Sequence, residues 1–374
     1  LAAVLERLGP DGAVAHEEDI ADFAALRRLK AGGEAGAAAI YDYAMIDDDS
    51  LLAPVAADYL LGAGRTRAAP FLERRAANGD AYGALLVRNL AFVAAASRPF
   101  AAAPERGNLI RLKEGKYAGE WRDSEEGLGG GRIPYNVNAA LVPAALDAAS
   151  RLAESGLLDA WLNDAALGDA GRMAGVWAAR APDMFRIEID AAQARERAGA
   201  YAARIGVPFA PESVDGAVIF SAVALDASGA PIPVLHSDEG FLLPFRDPPA
   251  REVARAVEAT MRPFPAGLMT PAGLLVANAA YAPAAAQDDF SNRRYHGAVV
   301  WSWQQALMAA GFERQLARSD LDDALRARLE TARAGLWRAI ESAEAVKTAE
   351  LWSWSIRDGA YVIEPFGQRD GDAT

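Results

Sequence analysis

The sequence predicts an all-α chain of antiparallel helix pairs arranged in a ring, with their connecting loops collected at one mouth. Three observations predict it. About ten or eleven segments of ~10 to 25 residues repeat apolar side chains at helical spacing. Only one stretch carries a clear hairpin pattern. The charged, aromatic and glycine-rich runs fall near the ends of the helical segments, and no fixed-length repeat of the solenoid kind is visible.

Taken in order, residues 16–30 (HEEDIADFAALRRLK) place Ile20, Phe23, Leu26 and Leu29 at helical spacing. Glu17, Glu18 and Asp19 are expected in the first turn, where the helix dipole favours negative charge. An Ala/Gly tether follows. In YDYAMIDDDS at 41–50, Tyr41 and Tyr43 flank Asp42, and Asp47, Asp48 and Asp49 precede the apolar helix LLAPVAADYLL. One aspartate is enough for an N-cap. Contacts to sugar hydroxyls are the expectation for Tyr43 and the three aspartates, with plain capping as the alternative. A calcium site is the third reading, but the spaced ligands of an EF-hand loop are missing.

Helices are expected in TRAAPFLERRA and YGALLVRNLAFVAAAS, on either side of the Asn78-Gly79 turn. Residues 100–118 read as loop with a short hairpin in NLIRLKEGKYAG. Beyond the stretch at 119–138, VNAALVPAALDAASRLAES, DAWLNDAAL and GRMAGVWAARAPDMFRIEI read as helices, the last broken or bent at Pro182. Alanine recurs throughout, and its helix propensity and small volume suit closely packed pairs. Residues 217–235 depart from this rhythm: AVIFSAVAL, a Gly-containing turn and PIPVL read as a β-hairpin excursion. The HSDEGFLLPF that follows carries His236, Asp238 and Glu239 to a rim or a solvated loop. In DDFSNRRYHGAVVWSWQ, Arg293, Arg294, Tyr295 and His296 precede a helix bearing Trp301 and Trp303. A long amphipathic helix spans 321–346. The chain closes on ELWSWSIRDGAYVIEPFGQRDGDAT, where Glu350, Trp352 and Trp354 precede a strand-like run into Glu364.

Composition removes several function classes. The 374 residues, 52% of them hydrophobic, suffice for one large domain, and 1–374 is read as one. With 38 basic and 51 acidic residues the net charge is −13, which repels nucleic acid and anionic lipid. No apolar run approaches the ~20 residues that span a bilayer. The absence of cysteine excludes disulfides, thiolate zinc sites and thiol nucleophiles. With no initiator Met and no signal-like segment, the chain reads as a mature form or a fragment, and its compartment stays open.

The stretch at 119–138, GEWRDSEEGLGGGRIPYNVN, is the candidate wall of a site, too irregular to be core. Glu120, Asp123, Glu125 and Glu126 lie within seven residues, and like charges this close raise one another's pKa. A carboxyl kept protonated is what a general acid requires, and Trp121 offers an apolar wall and a flat ring for a sugar. Gly127, Gly129, Gly130 and Gly131 allow sharp turns and close approach. The alternative is a solvated acidic loop.

The order of the WRDS loop, the YHG and VWSWQ helix start, and a late Glu before a Gly-rich end resembles the six-hairpin, (α/α)6-toroid glycosidases. Within these it is similar to bacterial glycogen-debranching or amylo-α-1,6-glucosidase-like proteins and to the trehalase and processing α-glucosidase I families. The resemblance implies inverting hydrolysis of a glycosidic bond in an oligo- or polysaccharide, without cofactor or metal. It implies Asp123 as acid and Glu364, in IEPFG, as base, with Glu125 and Glu126 as rivals for the first role and Glu350 for the second. Tyr295-His296-Gly297 with Trp301 is similar to the family's YWRGPVW segment, with its basic and proline positions replaced. Tyr43, Asp47, Asp48, Asp49, Trp121, Arg122, Asn136, Tyr295, His296, Trp301 and Trp352 would contact substrate, with the three tryptophans stacking on sugar rings. Five of the eight tryptophans (121, 301, 303, 352, 354) fall in the three motif stretches. Family members also carry an N-terminal β-rich domain and a final helix that closes the ring, neither of which is present, so a trimmed form is expected. Two other readings stand beside this one. In one, an enzyme on the same toroid takes uronate through Arg122, Arg132, Arg293 and Arg294; a phosphorolytic relative would need an anion site instead. In the other, a carbohydrate-binding toroid has lost catalysis.

Overall fold

The computed structural model describes residues 1–162 and 167–367. Part of DAWLNDAAL and the closing QRDGDAT lie outside the described residues. The described chain is mostly helical, with thirteen α-helices and six small antiparallel sheets. Strand content therefore exceeds the single hairpin that the sequence suggested. None of these helices is long and apolar enough to cross a membrane.

The chain divides into two compact units, 1–121 with 141–179, and 122–140 with 180–374. In the first, the helix Ile46–Leu61 packs on Val142–Glu154 and on Tyr82–Ala102. Val142–Glu154 buries Val142, Ala145, Leu146, Ala149 and Leu152 at helical spacing, together with Pro143, Ala144 and Ala148, and its alanines let the axes approach. Phe100 lies 4.3 Å from Trp177, whose indole donates to Ser97 O at 3.0 Å. Gly83 is required by close approach, since a Cβ there would lie 2.2 Å from the Trp161 ring.

In the second unit, Ser302–Leu316 packs between Glu239–Phe245 and Asp323–Ser342. Asp322 caps the last of these by accepting from Leu325 N. Its core includes Phe220, Phe312, Leu329, Leu336, Trp352 and Trp354. Burying a phenylalanine such as Phe312 stabilises by about 2 to 3 kcal/mol.

Several local expectations are corrected. Glu17–Asp19 is a strand paired with Ile40–Asp42, and the helix begins at Ala21. Paired this way, the acidic side chains face cations: Glu18 meets Arg7 and Asp19 meets Arg27. The helix Ala170–Phe185 runs through Pro182 and ends only where Arg186–Ile189 becomes a strand. That strand takes Val218–Ser221 as its partner, so the expected hairpin shrinks to Ala224–Leu225 with Pro231–Ile232. No strand forms in NLIRLKEGKYAG.

Candidate functional site

The site is built on the sheet of Val300–Trp301, Leu351–Arg357 and Ala360–Pro365 in the second unit. Trp301 pairs with Leu351, Trp352 with Pro365, and Ser353 with Glu364. Opposed residues share a face and neighbours alternate. Trp352 and Trp354 therefore enter the core, where their indoles donate to Ala272 O at 2.8 Å and Ala298 O at 2.7 Å. At 1% exposure, Trp352 cannot stack on a sugar, which corrects that expectation. Trp301, Leu351, Ser353 and Glu364 occupy the opposite face.

On that face the three motif stretches meet. The His296 ring is stacked on Trp301, with centroids 5.2 Å apart and planes 8° apart. Tyr295 packs edge-on against Trp301 at 4.8 Å and lies 6.0 Å from Phe366. The WRDS loop reaches the same histidine: Ser124 Oγ is 2.8 Å from Nδ1, and Asp123 Oδ1 is 3.6 Å from Nε2. Trp301 retains 5% exposure and donates to Tyr295 O, so it backs the histidine instead of presenting an open ring. Gly297 follows from the same crowding, because a Cβ there would lie 2.1 Å from Ser291 O.

Ser124, His296 and Asp123 stand in the order of an acyl-transfer triad, but the burial is reversed. In such triads the carboxylate is buried and the hydroxyl is presented. Here His296 is 1% exposed and the Asp123 side chain 47%. The group offered to solvent is a carboxyl. Asp123 also lacks the enclosing apolar wall expected of it.

Two further carboxylates bear on this centre, Glu350 through Tyr295 and Glu364 through its place on the same sheet. The Tyr295 phenol is pushed up to about 12, by burial first, then by the charge of Glu350 and a hydrogen bond to it, with Asp123 adding a smaller push. Asp123 and Glu350 thus act on one phenol. Glu364 is tethered by Ser355 Oγ at 2.5 Å and by Arg357 Nη2 at 2.9 Å, with its side chain 14% exposed. Glu126 pairs with Arg294 at 3.2 Å, both about one-third exposed, and Glu125 is exposed.

The stretch at 119–138, expected to be too irregular for the core, is in part buried. Glu120 and Arg122 are buried, as are Asn136 and Asn138 in the π-helical turn Asn136–Leu141. Arg122 is therefore unavailable to bind substrate: it makes a bidentate pair with Asp238 and donates to Val276 O at 2.7 Å. Nor are His236, Asp238 and Glu239 on a rim. Burial lowers His236 to about 4 against the pull of Asp238, and burial raises Glu239, whose Oε1 accepts from Ser221 Oγ at 3.2 Å. The Tyr135 ring sits 4.9 Å from His236.

Tyr43, Asp47, Asp48, Asp49 and Trp121 belong to the first unit. The Tyr43 hydroxyl donates to Arg7 O. Asp47 accepts from Trp121 N at 2.8 Å and from Asp48 N at 3.0 Å, and Asp49 accepts from Val14 N at 2.7 Å. Both are buried, which corrects their expected place at a mouth. They brace loops by accepting backbone donors, as N-terminal helix carboxylates can. Asp48 pairs with His16 at 2.8 Å and raises it to about 9. Sequence reasoning missed Ser124, whose only signal was its place beside Asp123, and misplaced Asp238, whose pairing with Arg122 spans 116 positions.

Set against known proteins, the chain matches no family model, no curated protein and no solved structure.

Proposed function

We propose that the chain is a glycoside hydrolase similar to the (α/α)6-toroid enzymes, cleaving an oligo- or polysaccharide with inversion, α-glucosidic bonds being the first class to test. The observation that carries the reading is the convergence on His296. A carboxyl from the WRDS loop, the aromatic Tyr295 and Trp301, and the hairpin bearing Glu364 come from positions far apart in sequence and meet on one sheet face.

Asp123, exposed and held beside His296, donates its proton to the leaving glycosidic oxygen as the bond to the anomeric carbon breaks. The base takes a proton from water, whose oxygen bonds to that carbon from the opposite face. Solvent then returns the proton from base to acid. Glu364 is the base in this scheme. Glu350, exposed and hydrogen-bonded to Tyr295, is its rival. Such a pair stands roughly 6.5 to 9.5 Å apart to admit the water.

An acidic substrate is the second reading: Arg294, partly exposed and paired with Glu126 three residues beyond Asp123, would exchange that partner for a uronate carboxylate. A panel of malto-, isomalto-, β-linked and uronate oligosaccharides separates these cases. Proton NMR of the first product anomer tests the mechanism, and retained configuration overturns it. Calorimetry showing oligosaccharide binding without product over hours would leave the protein a carbohydrate-binding one.

A further inference from the structure

The helix Ala21–Lys30 of the first unit turns its apolar side chains to solvent. Phe23 is 74% exposed, Leu26 54% and Leu29 52%, with Ile20 at the N-cap 55%, while Ala24 alone of the helix is buried. A line of large apolar groups on one exposed helix marks an interaction surface. The sequence around it specifies the partner. About the midpoint between Ala24 and Ala25, the large apolar residues of DIADFAALRRLK mirror one another and its acidic half mirrors its basic half, Ala21 opposite Arg28 being the one pair that departs. Ile20 corresponds to Leu29, Phe23 to Leu26, Asp22 to Arg27 and Asp19 to Lys30.

Two copies of this helix laid antiparallel across a two-fold axis therefore set the apolar line against itself and the acidic N-terminal half of each segment against the basic C-terminal half of the other. Self-complementarity of this kind is what an isologous contact requires. We propose that the Ala21–Lys30 helix is a homodimer contact, pairing antiparallel with the same helix of a second copy of this chain. The inference is independent of any enzymatic role. Asp22, Arg27 and Lys30 are exposed, and Arg27 is held at the edge of the stripe by Asp19 at 2.5 Å, so the charges are already ordered around the apolar line. A membrane surface fits less well, because Glu17, Glu18, Asp19 and Asp22 share the segment with the basic residues. One pair of 10-residue helices lies at the small end of interface sizes, so the dimer is concentration dependent.

Sedimentation velocity over a concentration series tests this. The parent chain shifts from monomer to dimer as concentration rises. Phe23→Asp and Leu26→Asp each weaken the dimer at least tenfold without changing the unfolding midpoint, since both side chains are exposed. Asp22→Arg alone puts a cation in the half that meets the partner's basic half and weakens the dimer; adding Arg27→Asp restores the opposition of the two halves and the dimer with it. A parent chain that stays monomeric, a dimer that survives Phe23→Asp, or a double variant no tighter than the single overturns the proposal.

Discussion

The Arg122 guanidinium meets the Asp238 carboxylate side-on, Nε to Oδ2 at 3.1 Å and Nη2 to Oδ1 at 2.8 Å, and neither side chain is more than 1% exposed. The remaining donors reach Val276 O and His296 O. Asp123 follows Arg122 directly, and His296 is the ring beside Asp123. One buried pair thus fixes the backbone on both sides of the candidate centre.

Removing one member of that pair leaves the other as an uncompensated buried charge. Asp238→Asn is expected to lower stability by about 3 to 5 kcal/mol, whereas Arg122→Met with Asp238→Leu loses much less than the sum of the single changes. Urea unfolding measures both. A cost below about 1 kcal/mol for Asp238→Asn would be that of a solvent-exposed pair and would contradict the burial.

Asp123→Asn should lower turnover roughly 100-fold or more while leaving the unfolding midpoint in place, because the side chain is half exposed and its loss opens no cavity. Glu364→Gln and Glu350→Gln then assign the base. The one that acts as base loses turnover to a similar degree, and the other changes it by a few-fold. Equal, small effects from both would remove the two-carboxylate mechanism.

Helix positions were legible where packing follows local periodicity. Val142–Glu154 and Tyr82–Ala102 lie where their apolar spacing puts them. The convergence of the WRDS, YHG and IEPFG motifs on one sheet face is what a shared site needs. What could not be read was burial of charge. Arg122, Asp238, Asp47 and Asp49 all read as exposed, because nothing local reveals a partner 116 positions away or a backbone N–H that a carboxylate will accept. The short strands failed for the same reason. Val218–Ser221 and Ala224–Leu225 are adjacent in sequence but pair with different, distant segments, Arg186–Ile189 and Ile133–Pro134. Pairing outside the local stretch overrides propensity.

The tryptophans divide into two roles that substitution separates. Trp352→Ala empties a packed core and is expected to cost about 3 to 5 kcal/mol. Trp301→Ala removes the plane on which His296 rests, so turnover falls further than stability accounts for, with Trp301→Phe recovering part of it. If the two alanine variants lose activity only in proportion to their unfolding, Trp301 has no role beyond packing.

The first unit should lose stability as pH rises. Burial, then the Asp48 charge, raises Asp47 from 3.8 to about 7, and burial raises Asp49 to about 6. Each folded carboxyl binds its proton more tightly than the unfolded one, so its stabilising contribution is complete below pH 4 and is lost as pH climbs through 6 and 7. His16, raised from 6.5 to about 9 by Asp48, has the same sign at higher pH: its contribution is present below 6.5 and gone above 9. His236 of the second unit runs the other way. Lowered to about 4, it favours the folded state increasingly as pH rises from 4 to 6.5. Asp47→Asn isolates the effect, because the variant cannot ionise there. The stability of Asp47→Asn relative to the parent, measured by urea unfolding, is expected to improve steadily between pH 4 and 7 and level off above 8. A difference independent of pH across that range would mean that Asp47 titrates in the folded protein as it does in the unfolded chain, and that its bond to Trp121 N is made by an ordinary solvated carboxylate.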